Sequence, residues 1–559
     1  MTTSTIAYRR AALLARFPTW VPRSLDELLA DGAATHPERP LVITDDRTWS
    51  YREVDDWATR LADGLVKRGV DAGDHVAVVL ANVPEFVPLK FAIARAGAVC
   101  VPLNFLYRRD ELAYVLAQSG AVALVTMDGF AGLDHLAVVE EIVAAGEVPE
   151  LRDVVVVPVT GSVPADRTTL AALEQLGADH AGASSGRRGA PDAPGDILYT
   201  SGTTGSPKGV VVTHDAVLRT AFASALTRAF ADGRRILFSL PCYHMFGYVE
   251  GLLAAMFVGG AVIPQVSFDP GAQLRAIEEH RADDVLCVPT MTVALLEHPD
   301  VAERDLSSLG AILSGAAPAP MWVWEQVGER LGITEVTTGY GMTECGGAMT
   351  MTRPEDPLER HSTTVGRIKL AGPAGVAAGL LCEYRTVDPV TGGVLSDGAE
   401  GELVSRGPTH MVGYWDKPEE TAAALRDGWL HSGDLGRVEP GGDVQVTGRT
   451  KELYKSGGEL VMPKEIEELL SALPGVSQVY VAGLPDERWG EIGCAWVVRD
   501  DTPAGAALTA VDVIDACRSR LARFKVPKRV RFIAPGQLPT TPTGKVQKFR
   551  LVSEGVGAP

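Results

Sequence analysis

The sequence predicts an α/β fold: a large N-terminal domain of doubly wound α/β subdomains with a small β-barrel-like subdomain, then a small α+β C-terminal domain. Three observations carry this. Residues 51–125 alternate helix-period stretches with short apolar runs, and a second run of the same kind follows the stretch YTSGTTG. Continuously apolar strands between helices are what a parallel sheet covered on both faces requires. From about Gly366 to Arg449 the texture changes to short β segments between Gly and Pro turns, and residues 451–559 mix helices with strands again.

In chain order, WATRLADGLVKRG has apolar residues at helical spacing and stops at Gly69. HVAVVLA reads as a buried parallel strand and FVPLKFAIARAG as a helix. GAVCVPL is followed by the helix RRDELAYVLAQSG, which leads to AVALVT. The stretch from about Val163 to Gly195, rich in Ala, Gly, Ser and Pro, reads as a connector of low regularity. RILFSLP, VLCVPT and LGAILSG are the strands of the second run. GLLAAMFVGGAVIPQV, from Gly251, is too short for a membrane span and reads as a buried helix passing into a strand. GELVSRG and DVQVTGR suggest a small antiparallel barrel or sheet. Beyond 451, helices PKEIEELLSAL and AVDVIDACRSRLA lie between strands SQVYVAGL, CAWVVRD and KRVRFI. No internal repeat is evident.

The chain has 559 residues, 46% hydrophobic and 22% charged, ordinary for a globular enzyme. Its formal net charge is −19, with no run of Lys or Arg that suits nucleic acid or an anionic membrane. Any anionic ligand must therefore be held by local groups rather than by the overall field. Seven scattered cysteines, never in a C-x-x-C arrangement, read as buried reduced thiols rather than as zinc ligands or disulfides. The N-terminal stretch MTTSTIAYRRAALLARFPTW is basic but lacks the apolar core of a secretion signal, so a cytoplasmic protein without a transmembrane segment is expected.

YTSGTTGSPKGV, from Tyr199, places Gly202 and Gly205 with the hydroxyl residues Thr200, Ser201, Thr203 and Thr204 ahead of Lys208. Backbone amides around Gly202 and Gly205 suit phosphate oxygens. The order is wrong for a Walker A loop, which needs Gly-Lys adjacent and then Ser or Thr; here Pro207 precedes the lysine and Gly209 follows it. Further stretches are SGAAP from Ser314, YGMTE from Tyr340, GWLHSGD ending at Asp434, GRTKE from Gly448, SGGE from Ser456 and PTGK ending at Lys545. Singly, each passes for an ordinary turn.

In this order, over roughly residues 25–552, the set resembles the adenylate-forming superfamily, which contains acyl-CoA synthetases, carrier-protein adenylation domains and luciferases. RGPTHMVGYW, GLPDERWGE and LARFKVPKRV add to the likeness. The nearest resemblance is to AMP-dependent acyl-CoA synthetases of fatty or aromatic acids. A carboxylate acylates poorly because oxide leaves badly. Its attack on the α-phosphate of ATP makes an acyl-adenylate with a good leaving group and releases pyrophosphate. Two anions must meet, so placed cations and amide donors do most of the catalytic work.

The resemblance implies roles residue by residue. Thr200, Ser201, Gly202, Thr203, Thr204 and Gly205 would cradle the β- and γ-phosphates, with Lys208 steadying that loop or touching the pyrophosphate. Glu344 would bind Mg²⁺ and Thr343 would touch the α-phosphate, both counted with Lys545 as catalytic. Gly315, Ala316, Ala317 and Pro318 would form the adenine slot, flanked by Thr338, Gly339 and Tyr340. Asp434 would accept from the ribose diol and Arg449 would add donors. Lys545 would drive adenylation from a mobile C-terminal domain, residues 451–559, that turns about Lys451 against residues 1–450. In its second pose Gly457 and Gly458 would line the CoA tunnel. His244, Phe246, Gly247 and Gly339 would border the acyl group, His244 more as gate than as base.

Two stretches depart from the family pattern: Leu460 and Met462 in GELVMPKEIE, near the CoA entrance, and Gly346 and Gly347 after YGMTE. ATP, Mg²⁺ and CoA are the expected cofactors, and a monomer or homodimer the expected state. Alternative functions are a stand-alone ligase serving an acyl carrier protein or a nitrogen nucleophile, nitrite-activating diazotase-like chemistry included, and a non-catalytic nucleotide or acyl-ligand sensor. Relatives that activate amino acids carry an acidic residue just after the Phe of a similar segment. Here Gly247 follows Phe246, which favours a hydrophobic tail or ring, although Glu250 is near.

Overall fold

The computed structural model describes residues 3–161, 163–200, 207–315, 319–450, 452–456, 459–486, 489–521, 523–540 and 546–553. The chain forms two compact units, one of Met1–Glu383 with Ser405–Leu430, the other of Tyr384–Val404 with His431–Pro559.

Two α/β sheets build the first unit. The eight-stranded sheet runs, in spatial order, Gly413–Tyr414, Lys208–Thr213, Pro194–Thr200, Val99–Pro102, His75–Val79, Ala123–Met127, Asp153–Val157 and Thr168–Thr169. From Pro194–Thr200 onward its neighbours are parallel, and the first two pairs are antiparallel. The seven-stranded sheet runs Glu335–Thr337, Ala311–Ser314, Asp284–Cys287, Arg235–Phe238, Ala261–Pro264, Pro40–Ile43 and Thr48–Ser50. Only its last pair is antiparallel. Leu237, Ile263, Val285, Ile312 and Trp324 fill one core of this sheet, and the buried strands explain the continuous apolar runs.

Local signals set the helices. Tyr51–Lys67 starts at Ser50, whose Oγ accepts from Glu53 N while Glu53 Oε2 accepts from Ser50 N, a reciprocal cap. It ends just before Gly69, at φ +89. The expected irregular connector between Val163 and Gly195 is corrected: Leu170–Asp179 is a helix. Its small residues serve close packing. A Cβ at Gly177 would run into the Arg60 carbonyl, and buried Leu173 sits against Gly64 of the helix Tyr51–Lys67. The stretch from Gly251 does pass from helix into strand, but it starts inside a π-helix, Phe246–Leu253, which runs on into the short α-helix Ala254–Met256. Among the described residues, no helix is long and apolar enough to cross a membrane. All seven cysteines are buried and free.

Most of the second unit's first part is one sheet, in which Trp429–Val438, from His431 onward within this unit, pairs antiparallel with Val444–Arg449, next to Gly401–Arg406 and Glu383–Val387. A second sheet contains Glu459–Val461, Tyr454–Ser456, Gly490–Arg499, Val476–Asp486 and Arg529–Phe532. Along Gly490–Arg499, Ala495 and Val497 face one core with Ile466, Leu470 and Val513, whereas Cys494, Trp496 and Val498 face another with Leu551. That is the period of two expected of a sheet covered on both faces.

Candidate active site

The two ends of the glycine-rich stretch are neighbours. Pro194–Thr200 and Lys208–Thr213 pair antiparallel, with Thr200 opposite Lys208. A Walker A stretch runs from a strand into a helix; here a strand stands on both sides, so topology agrees with residue order. The base is tied down by side chains. Tyr199 Oη donates to Gln118 Oε1, Gln118 Nε2 donates to Trp415 O at 2.9 Å, and Tyr114 Oη donates to Pro207 O at 3.3 Å. Lys208 Nζ lies 4.9 Å from the centroid of the Tyr414 ring.

Glu344 sits in a single 3₁₀ turn, Thr343–Cys345, that follows the strand Gly339–Met342. Thr343 and Glu344 are both buried. The Glu344 carboxylate accepts from Tyr414 Oη at 2.8 Å, and its carbonyl accepts from Met411 N at 2.8 Å. Gly346 ends the turn at φ +76, where a Cβ would lie 2.7 Å from the Thr409 carbonyl oxygen. The departure from the family pattern at Gly346 therefore has a backbone reason. Val412 N donates to Val211 O at 2.9 Å and Trp415 N to Gly209 O at 2.7 Å, so residues 411–415 join the Glu344 turn to the Lys208 strand.

Gly315, at the end of Ala311–Ser314, meets Gly339 and Phe246. A Cβ added at Gly315 would lie 3.4 Å from the Gly339 carbonyl oxygen and 3.8 Å from Phe246 Cζ. Phe246 opens the π-helix, and His244 Nδ1 accepts its backbone N–H at 3.2 Å. Gly247 turns its missing side chain toward the carbonyls of Leu240 and Pro241, which makes a close backbone approach possible. Thr338 is held through Thr352: Thr338 N donates to Thr352 Oγ1 at 2.8 Å, and His361 Nδ1 lies 2.8 Å from the same oxygen. Burial pushes His361 down to about 4, so it is neutral at pH 7.

Glu250 points elsewhere. Its carboxylate lies 3.0 Å from Lys369 Nζ and accepts from Ala348 N at 3.1 Å and from Ser224 Oγ, in a wholly buried cluster. It is committed to the fold.

In the second unit Asp434 and Arg449 face each other on paired strands, with Arg449 Nε 2.7 Å from Asp434 Oδ1. Asp434 is almost inaccessible, and Arg449 is about one-third exposed. His431 Nδ1 stands 2.8 Å from Glu402 Oε2, and Gly433 N donates to Glu402 Oε1 at 3.1 Å, which shapes the chain just before Asp434.

Ser201, Gly202, Thr203, Thr204, Gly205, Ala316, Ala317, Pro318, Lys451, Gly457, Gly458 and Lys545 lie outside the described residues. Thr200 and Lys208 come together, as do Gly315 with Gly339 and Phe246, and Asp434 with Arg449. Tyr414, Thr352 and His361 escaped sequence reasoning. Tyr414 stands inside the family-like stretch RGPTHMVGYW, the one signal that pointed near it.

A parallel α/β unit in which paired strands flank the glycine-rich stretch, near a buried glutamate, is an arrangement suited to handling a nucleotide. The AMP-binding enzyme family model matches residues 29–415, and the AMP-binding enzyme C-terminal domain matches residues 465–545. The chain belongs to the family of AMP-binding enzymes, and it is an ATP-dependent, AMP-forming acyl-CoA ligase. A methyl-dioxo-octahydroindenyl-propanoyl:CoA ligase of Mycobacterium tuberculosis is 38% identical, the match covering 95% of this chain and 98% of that protein. A feruloyl-CoA synthase of Amycolatopsis sp is 37% identical, over 89% of this chain and 92% of that protein. The solved structure of ATP-bound MatB from Rhodopseudomonas palustris superposes with a TM-score of 0.82 at 30% identity, covering 95% of this chain and 98% of that one.

Proposed function

We propose that the chain activates a fatty or aromatic carboxylic acid whose tail or ring lies against Gly315, Gly339 and Phe246. The observation that carries this reading is the commitment of Glu250 to Lys369. An amino-acid substrate needs an anion for its ammonium group, and the acidic residue that follows Phe246 in sequence is already paired. Ring-bearing acyl groups in the names of the relatives at 37% and 38% identity support the same class. A long-chain-fatty-acid–CoA ligase of Mycobacterium tuberculosis, 33% identical over 90% of this chain, supports the fatty-acid half.

The substrate carboxylate attacks the α-phosphorus of ATP, the bond to the bridging oxygen breaks, and pyrophosphate leaves. The thiolate of CoA then attacks the acyl carbon and AMP leaves. Residues 200–205 and Lys208 hold the outer phosphates, and Thr343 holds the α-phosphate. Gly315 to Pro318 and Thr338 to Tyr340 take adenine, Gly315 and Gly339 standing where the adenine slot meets the acyl wall, while Asp434 and Arg449 take the ribose. Lys545 compensates charge on the oxygens between substrate and α-phosphate, and Lys451 is the pivot between residues 1–450 and 451–559. Gly457 and Gly458 line the CoA path, and His244 gates it. Glu344 offers a hard carboxylate oxygen, buried and oriented by a hydroxyl, which fits a magnesium ion. Magnesium, when bound, offsets the phosphate charge. A cytoplasmic monomer or homodimer completes the reading.

The test is incubation with ATP, magnesium, CoA and a panel of acids, read by pyrophosphate release and product mass. Acyl-CoA and AMP are expected from ring-bearing or fatty acids, with amino acids inert. Turnover of amino acids, or transfer only to the phosphopantetheine arm of a carrier protein, overturns it.

A further inference from the structure

Tyr414 stands between two groups of opposite charge. Its hydroxyl donates to Glu344 Oε1 at 2.8 Å, and its ring centroid lies 4.9 Å from Lys208 Nζ. Neither contact cancels a charge. A phenol orients a carboxylate while remaining neutral, and an aromatic face attracts an ammonium through its quadrupole while the full charge remains. An arginine in place of the tyrosine would hold Glu344 equally well but would offset the negative charge that a divalent cation needs.

The fold places Tyr414 deliberately. Its strand, Gly413–Tyr414, pairs with Lys208–Thr213, with Val210 opposite Tyr414. Tyr414 N donates to Thr421 Oγ1 at 2.9 Å. On either side, Met411 N reaches the Glu344 carbonyl and Trp415 N the Gly209 carbonyl. The same five residues thus tie the Glu344 backbone to the strand that carries Lys208, and the Tyr414 side chain reaches both functional groups.

We propose that Tyr414 is a positioning residue for adenylation: its hydroxyl aims Glu344 at the divalent cation and its ring steadies Lys208 toward the departing pyrophosphate. The proposal rests on the reading of Glu344 as the cation-binding group. The two contacts are separable, because phenylalanine keeps the ring and loses the hydroxyl, whereas leucine loses both.

The experiment compares Tyr414→Phe, Tyr414→Leu and Glu344→Gln in the full chain. Mn²⁺ binding is measured by electron paramagnetic resonance with a non-hydrolysable ATP analogue, alongside the KM for ATP, kcat and the thermal midpoint. Tyr414→Phe is expected to weaken Mn²⁺ binding by about three- to tenfold, the loss of one hydrogen bond to a charged group, with the KM for ATP at saturating metal changed less than about twofold. Tyr414→Leu is expected to add a rise of about two- to fivefold in the KM for ATP, through Lys208. Glu344→Gln is expected to weaken Mn²⁺ binding more than either. If Glu344→Gln leaves Mn²⁺ binding unchanged, the cation reading fails and the proposal with it. If Glu344→Gln weakens it and Tyr414→Phe does not, or Tyr414→Phe lowers only the thermal midpoint, the Tyr414 proposal fails alone.

Discussion

Lys369 Nζ lies 3.0 Å from Glu250 Oε1, and neither side chain reaches solvent. The ammonium also donates to Thr220 O at 3.1 Å and to Ser224 Oγ at 2.9 Å, so this cation is fully engaged inside the fold. Burial pulls the lysine's proton affinity down, and Glu250 counters that. Glu250→Gln removes the compensating charge and is expected to destabilise the protein by about 3–5 kcal/mol, as for other broken buried pairs. Urea denaturation measures this, and acid preference should be unaltered in the folded fraction. A variant of normal stability that changes its acid preference would move Glu250 into the acyl site.

The acyl wall makes a graded prediction. A Cβ at Gly315 meets only ordinary contacts, so Gly315→Ala should be tolerated. Gly315→Val extends toward Phe246 and shortens the space available. It is expected to lower kcat/KM for ring-bearing acids by about 10–100-fold while sparing short acids, the range one or two methyl groups command in a pocket. The readout is kcat/KM across acids of increasing size. Uniform loss over the series would place Gly315 outside the acyl wall.

Much of this fold was legible because helix and strand periods differ. Tyr51–Lys67, His75–Val79 and Phe86–Arg95 stand where apolar spacing placed them. Leu170–Asp179 was hidden because alanine and glycine serve both loops and close helix contacts, and only the partner helix distinguishes them. The π-helix was hidden for a similar reason: one inserted residue per turn leaves composition untouched. At the site, motifs lay in local stretches that sequence displays directly. Tyr414 is 70 residues from Glu344, and Thr352 is 14 from Thr338, so their roles exist only once the strands pair.

Acid stability follows from three histidines. Burial is the leading cause that holds His214, His361 and His410 each at about 4, below the ordinary 6.5. Between those values the unfolded chain binds protons that the native chain refuses. Stability from these groups is therefore complete above pH 6.5 and is lost as pH falls toward 4. Each such proton contributes a slope of about 1.4 kcal/mol per pH unit. His361→Asn should remove one proton's share of that slope, measured by urea midpoints at about pH 7 and about pH 5. An unaltered slope would show that His361 does not titrate as its burial requires.

Lys545→Ala is expected to reduce adenylate formation by about 10²–10³-fold, the usual cost of losing one placed charge on a developing oxyanion. Transfer from synthetic acyl-adenylate to CoA should remain near normal, since that step has no phosphate attack to assist. Single-turnover pyrophosphate release beside acyl-CoA yield separates the two. Equal loss in both steps would remove Lys545 from the adenylation step.

Asp434 gives the sharpest separation of binding from folding. Its carboxylate is almost inaccessible, and Arg449 Nε is 2.7 Å from one of its oxygens. Asp434→Ala would leave Arg449 without this partner, but the guanidinium is about one-third exposed, so water can take over much of that contact. The cost to folding should therefore be small, on the order of 1 kcal/mol. The cost to ATP should be larger, because charge-assisted hydrogen bonds to the ribose hydroxyls contribute roughly 1.5–3 kcal/mol each. Titration calorimetry with ATP is expected to show affinity lower by at least about tenfold, beside a nearly unchanged denaturation midpoint. Asp434→Asn should fall between, since an amide oxygen still accepts but carries no charge. Arg449→Lys tests the partner: it keeps the charge, loses the Nε contact, and should weaken ATP less than Asp434→Ala does. Should ATP bind as before while the midpoint drops, Asp434 holds the strand pair rather than the nucleotide.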